Sequence, residues 1–315
     1  MIQLLSTPPL ATKVKRDANY DPYLASTVNE LKEILNVEMY VDVEKLKRAS
    51  RHGIPPEIRG KVWKFLLGVE QADRSHELSS SKAKADEYAQ LDKENTESTK
   101  RIRGEVTRYL KRLGKHEETA TQFTVFENVI GAYLNGNKNI EYSPVLVHMC
   151  GPFVEYLSEE WEIYYCFEQM MSQITEYYEE HEINERVAKF MTLFRTLLPD
   201  LYNYFQDEEV EFNEWVASWN MYLLAKELPL DSLSRLWDTY FCEADFLELH
   251  IYVCLAILKH CKENLEDLEQ SEIRTLLLRL PELDMDQIVQ QGFNLMHEIQ
   301  EREISDGEVS KLLKY

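Results

Sequence analysis

Apolar residues recur at three- and four-residue spacing along most of this 315-residue chain. That rhythm belongs to helices with one buried face. It predicts helices over 101–113, 122–135, 144–157, 160–180, 184–197, 209–226, 231–241, 246–262, 270–279 and 285–301. NGNKN at 135–139, LPDL at 198–201 and ELPLD at 227–231 read as the breaks between them. Nearer the start, STVNELKEIL from Ser26 to Leu35 has an N-cap residue and helical spacing. After Gly53 and Pro55-Pro56, a helix with Ile58, Val62, Phe65 and Leu66 on one side is predicted to stop at Gly68. Strand-like alternation is missing over any useful length, and no repeat of fixed period is present, which disfavours a solenoid. The pattern predicts an all-α fold.

Three stretches stand outside that rhythm. Residues 1–20, with Pro8-Pro9, read as an irregular arm. Residues 70–99 are almost wholly polar, so a mobile segment or a solvent-facing helix is expected, with Tyr88 and Leu91 as its few anchors and Ser79 to Ser81 as the point most expected to move. NIEYSPVLVHMCGPF, 139–153, turns apolar at a Ser-Pro step. Ser143 can cap a helix there, and Pro144 suits its first position, where a missing N–H costs nothing. Val145, Leu146, Val147, Met149 and Phe153 would then run inward.

Composition supplies the core: 44% of residues are hydrophobic, with 18 Tyr, 12 Phe and 5 Trp. A net charge of −21 weighs against nucleic acid and anionic membranes as general partners, because both repel an acidic surface. Acidic residues crowd 155–214 and read as a solvated helical face. Two basic clusters oppose this trend: Lys45, Lys47, Arg48, Arg51, Arg59, Lys61 and Lys64, then Arg101, Arg103, Arg108, Lys111 and Arg112. A phosphate-bearing protein partner explains them better than nucleic acid does. Cys150, Cys166, Cys242, Cys254 and Cys261 are odd in number and irregularly spaced, as expected of free thiols in a core within a reducing compartment. The longest apolar run, Ile251 to Leu258, falls far short of the ~20 residues a membrane span requires, and the N-terminal apolar stretch is too short for a signal peptide. A soluble cytosolic or nuclear protein is expected.

Catalytic frameworks are mostly absent. The chain has no phosphate-binding Gly-rich loop, no H-E-x-x-H and no G-x-S-x-G. Its histidines are single; His52 and His116 lie in polar stretches, and His148 and His250 lie within apolar helices as hydrogen-bonded core candidates. No Cys/His cluster suggests a metal. These residues alone describe an acidic helical interaction protein.

Several ordered motifs nevertheless resemble the TBC domain, the helical fold of activators of Rab-type small GTPases. Gly53-Ile54-Pro55-Pro56 with Arg59 and Trp63 is similar to its opening signature. Ile102, Glu105 and Arg108 match its I-x-x-D-x-x-R motif, with Glu for Asp. Trp219, Glu227-Leu228-Pro229-Leu230 and Arg235-Leu236-Trp237-Asp238, followed by Tyr240, match a third signature. The resemblance implies two helical lobes with a groove between them. It divides the chain into an arm and leading helix (1–49), the TBC domain with a polar insert at 70–99 (50–262), and C-terminal helices completing the fold (263–315). From the residues themselves, Trp63, Trp219 and Trp237 are anchors of a helical core, and Arg235 and Asp238, at i and i+3, can pair across one turn.

The resemblance also implies a chemistry. GTP hydrolysis needs positive charge where the phosphoryl oxygens develop negative charge, and a group that orients the attacking water. By resemblance Arg108 is the arginine finger, with Glu105 bracing it; the bland reading is a surface Glu–Arg pair worth a few tenths of a kcal/mol. The family's second group is the glutamine of Y-x-Q-G. Tyr142-Ser143-Pro144 falls in that register, so Pro144 stands at the glutamine position and offers neither an amide nor an N–H. Asn137, Asn139, Glu141 or His148 could hydrogen-bond a water instead, or the partner could use its own glutamine. The implied partner is a GTP-bound Rab-type GTPase, which itself holds the GTP and Mg²⁺; this chain needs no cofactor. Subunits of a larger complex are a further implied class of partner. The implied location is the cytoplasm, with endomembranes reached through the GTPase. Two alternatives stay open: a catalytically impaired TBC module that binds a GTPase or assembles a complex, and a helical scaffold with no GTPase partner.

Overall fold

The computed structural model describes residues 22–115 and 120–312, so the arm over 1–20 and His116 lie outside the described residues. The described residues form fifteen helices: α1 Pro22–Leu35, α2 Val43–Ser50, α3 Pro56–Leu66, α4 Glu77–Gln90, α5 Thr96–Arg112, α6 Ala120–Gly136, α7 Val145–Tyr156, α8 Glu160–Glu180, α9 Ile183–Leu197, α10 Pro199–Asp207, α11 Val216–Met221, α12 Leu230–Tyr240, α13 Phe246–Leu265, α14 Gln270–Leu278 and α15 Met285–Leu312. An isolated bridge between Tyr40 and Asp73 is the only β pairing among the described residues. The fold is all-α, as the spacing predicts.

The helices pack in two sets. α1 to α8 form the first, and α9 to α13 pack with α15 in the second. α7 runs through the first set with every residue from Val145 to Phe153 buried, and the long α13 is the corresponding centre of the second. A cleft of about 960 Å³ opens between them, lined by Arg112, Lys115 and Glu155 on one side and Pro229, Arg279 and Met285 on the other. All five cysteines are buried and unpaired.

Three local expectations need correction. The polar stretch 70–99 takes the second of its two expected forms, a largely exposed helix, α4, followed by the first turn of α5. Tyr88 pins it: the ring is buried and its hydroxyl donates to Glu160 Oε1 at 2.8 Å. Ser79 to Ser81, expected to move, lie inside α4. At 209–226 the single predicted helix is broken into a 3-10 turn at Phe212–Glu214 and the short α11. Glu209 closes α10 with φ 55°, so that Val210 N–H reaches the Phe205 carbonyl at 2.8 Å. Leu223 and Leu224 then turn left-handed, at φ 50° and 61°. Such a conformation costs about 1–2 kcal/mol per residue, yet both side chains end fully buried, and burying a leucine contributes about 1.5–3 kcal/mol. Packing outweighs helical periodicity here. The third correction concerns the Ser-Pro step. Ser143 does not cap α7 through its side chain; its carbonyl accepts the Leu146 N–H at 3.1 Å, and Pro144, with helical φ and ψ, occupies the cap position.

Candidate functional site

α5 owes its start to Asn95, whose side chain accepts the Ser98 N–H at 3.0 Å. Ile102, Glu105, Val106, Tyr109 and Leu110 form its buried stripe. Arg108 lies off that stripe with a side chain 68% exposed, whereas that of Glu105 is 9% exposed. The two still meet one turn apart. Arg108 Nε donates to Glu105 Oε2 at 2.8 Å, and Nη2 donates to the same oxygen. Glu105 thus grips one edge of the guanidinium and leaves Nη1 free of this contact.

The second oxygen of Glu105 is also occupied. His148, four residues beyond Pro144 on α7, brings Nε2 to 2.8 Å from Glu105 Oε1. Burial lowers the His148 pKa to about 4 against the pull of Glu105, so the imidazole is neutral at pH 7. Its Nδ1 has no partner, which leaves Nε2–H as the donor to the carboxylate. Burial also pushes the Glu105 carboxyl up, but the hydrogen bonds from His148 and Arg108 outweigh it and hold the group below the usual carboxylate range. The His148 ring stands edge-on to Tyr109, with centroids 5.4 Å apart. Gly151, one turn further along α7, has no room for a Cβ because the Tyr109 phenol occupies the space.

The Tyr142 turn borders the same place. Arg101 lies over the Tyr142 ring at 4.6 Å, and its Nη2 donates to the Tyr142 carbonyl at 3.5 Å. Burial raises the phenol's pKa, with Glu105 adding and Arg101 and Arg108 opposing, so all three charges act on this ring. Pro144 is exposed at the head of α7. Of the groups named as stand-ins for the missing amide, His148 is committed to Glu105 and the Asn137 amide donates to the Tyr133 carbonyl at 2.9 Å. Asn139 and Glu141 are exposed.

The other motif residues build a clamp between the two helix sets. Asp238 of α12 is completely buried. It accepts from the Ile54 N–H at 2.8 Å, from Arg59 Nε at 3.0 Å and Nη2 at 3.1 Å, and from Trp63 Nε1 at 2.8 Å. Burial pushes its carboxyl up to about 6, against the attraction of Arg59, so it remains ionised at neutral pH. Arg59 also lies over the Tyr156 ring at 4.7 Å. The expected Arg235–Asp238 pair does not form. Arg235 reaches Asp286 at 2.6 Å and Thr239 at 2.8 Å instead. Asp238 has its stronger partner in Arg59. Gly53, at φ 112°, brings the backbone against the Arg235 side chain, where a Cβ would sit 3.0 Å from Nε. Pro55 and Pro56 lead straight into α3, Pro229 caps α12, and Trp219 Nε1 ties α11 to the Leu277 carbonyl at 2.9 Å. Trp63, Trp219 and Trp237 are fully buried.

A family model for the Rab-GTPase-TBC domain matches residues 56–266. The chain belongs to this family. Among its TBC relatives, the "GTPase-activating protein gyp1" of Schizosaccharomyces pombe is 26% identical over 300 residues, covering 83% of this chain and 58% of the relative. Human "TBC1 domain family member 22B" is 24% identical over 277 residues, covering 76% and 54%. The chain therefore spans little more than half the length of these curated relatives. The crystal structure of the Ypt/Rab-GAP domain of Gyp1p shares the fold, with a TM-score of 0.72 at 20% identity over 86% of this chain and 97% of that one. The Chlamydomonas flagellar RabGAP TBC domain follows, with a TM-score of 0.63 at 18% identity over 87% and 93%.

Within this TBC chain, sequence reasoning paired Glu105 with Arg108 and offered His148 as a core histidine or a holder of water, but did not join it to Glu105. The available signal was a lone imidazole in the wholly apolar run from Val145 to Phe153. Asp286, the partner of Arg235, carried no signal at all, being 51 residues away in sequence.

Proposed function

We propose that this TBC chain activates a Rab-type small GTPase, with Arg108 as the guanidinium that enters the partner's nucleotide site. The observation that carries the reading is a well-exposed arginine held along one edge by a buried carboxylate beside the Tyr142 turn. A guanidinium is always charged and presents forked donors, which suits the charge developing on a transferring phosphoryl group. Glu105 limits the number of poses and leaves Nη1 to reach outward. The longer Glu spans from the buried stripe of α5 to Arg108 while still meeting His148. The partner supplies GTP and Mg²⁺, and with Pro144 in place of an amide it must also orient the attacking water. Among the described residues no helix is long and apolar enough to cross a membrane; the chain would work at endomembranes only where its GTPase resides.

A second reading rests on Pro144. Lacking a water-orienting group, the chain would recognise a GTP-bound GTPase, or assemble a complex around it, without accelerating hydrolysis. Phosphate release from a panel of GTP-loaded Rab-type GTPases separates the two. Faster hydrolysis with the wild-type chain, abolished by Arg108→Ala, is the expected result. Nucleotide-dependent binding with unchanged hydrolysis supports the second reading. Pro144→Gln then reports whether the site geometry survives: a gain in rate means that only the amide is missing.

A further inference from the structure

We infer that His148 is a positioning residue for Arg108: its imidazole fixes Glu105 in the pose that presents the guanidinium. This rests on the activator reading above and extends it to a residue on the second helix of the site. α7 then contributes to the site after all, through a hydrogen bond four residues inside the helix rather than through a side chain at position 144.

The argument starts from Glu105. A carboxylate this buried needs donors for both oxygens, because an unmet buried charge is costly. Arg108 fills Oε2 from the solvent side and His148 fills Oε1 from the core side. If the imidazole is removed, the cheapest way to rehydrate Oε1 is to swing the carboxylate toward water. Arg108 would move with it, since its Nε and Nη2 share one oxygen of that group.

His148 is well placed to prevent this. Its residue is 4% exposed, its helical neighbours Val147 and Met149 are fully packed, and Tyr109 stands edge-on against the ring. Arg112 and Lys226 also act on the imidazole and oppose a proton on it. The ring therefore stays neutral and donates through Nε2 without competing as a second cation for Glu105. A merely satisfied core histidine would have the same burial. What distinguishes a positioning residue is a consequence at Arg108, on another helix.

The test uses the whole chain as wild type, His148→Leu, which keeps bulk but removes the donor, and His148→Gln, which restores an N–H at similar reach. Three readouts are taken: nitrogen NMR of the His148 ring, the order of the Arg108 Nε–H vector, and GTP hydrolysis by the responsive GTPase. In the wild type, Nε2 should carry the proton and Nδ1 should not; the opposite tautomer overturns the proposal. His148→Leu should loosen the Arg108 Nε–H and slow stimulated hydrolysis about tenfold to a hundredfold, the range a small misplacement of a reacting group produces. His148→Gln should recover most of both. A Leu variant with a lowered Tm but wild-type Arg108 order and rate shows His148 to be a core hydrogen bond only. If the Leu variant does not fold, the wild-type tautomer and the Gln variant decide. If the wild-type chain accelerates no GTPase, the activator reading fails, and the Arg108 signal alone decides the role of His148.

Discussion

Replacing Asp238 by Asn tests what holds the two helix sets together. The side chain keeps its shape, but its charge goes and one of its acceptors becomes a donor. Arg59, only 6% exposed, then loses its counter-ion, and either Trp63 Nε1 or the donors on the other oxygen face an N–H instead of an oxygen. Breaking a buried ion pair from one side costs about 3–5 kcal/mol, a large share of the roughly 5–15 kcal/mol that a folded domain possesses. Arg59→Met should cost less on acidification than at neutral pH. With its partner gone, Asp238 can take up a proton, whereas the Arg59 left behind in Asp238→Asn cannot lose one. Urea denaturation followed by far-UV circular dichroism, at pH 7 and pH 5, measures both. The reasoning is refuted if Asp238→Asn shifts stability by less than about 1 kcal/mol, or if the Arg59→Met loss does not shrink at the lower pH.

Gly151→Ala should destabilise by about 1–3 kcal/mol through overpacking, because its Cβ meets the Tyr109 phenol; thermal melts should show Tyr109→Phe recovering part of the loss. That Tyr109→Phe change alone should be near neutral, since the buried hydroxyl has no hydrogen-bond partner to lose. Burial depresses His148 to about 4 and His250 to about 3, so the unfolded chain takes up these two protons first as pH falls below the ordinary imidazole value. Their contribution to stability is full above that value and is lost as pH falls toward 4 and 3. Asp238, raised to about 6, works in the opposite direction over its own window. The urea midpoint should therefore fall from pH 7 to pH 5, and should fall less in His250→Gln. Tyr88→Phe should loosen α4 by removing its hydrogen bond to Glu160, a change that amide hydrogen exchange across Glu77–Gln90 would register without any shift in the global midpoint.

Periodicity located most helices because each carries its own buried stripe. α8, α12 and α13 begin within a residue of their predicted starts. It failed where a distant partner decided the local structure. Nothing between 209 and 226 announces a break, since Glu209, Leu223 and Leu224 are not residues that normally signal left-handed turns; the two leucines adopt them where their side chains end fully buried. The i, i+3 rule suggested Arg235 with Asp238 and was overruled by Asp286 and Arg59, which no local spacing could reveal. The same rule named Glu105 and Arg108 as a pair because their contact is local. His148 joins them only when α5 and α7 come together.

The central claim is that Arg108 supplies positive charge to a partner's phosphoryl site. It is tested most directly by the affinity of the chain for a responsive Rab-type GTPase loaded with GDP and aluminium fluoride, compared with the GDP form alone, in wild type and Arg108→Ala. The account predicts a marked preference for the fluoride-bound form that Arg108→Ala loses while both proteins melt at the same temperature. Equal preference in the two proteins, or none in the wild type, would contradict it.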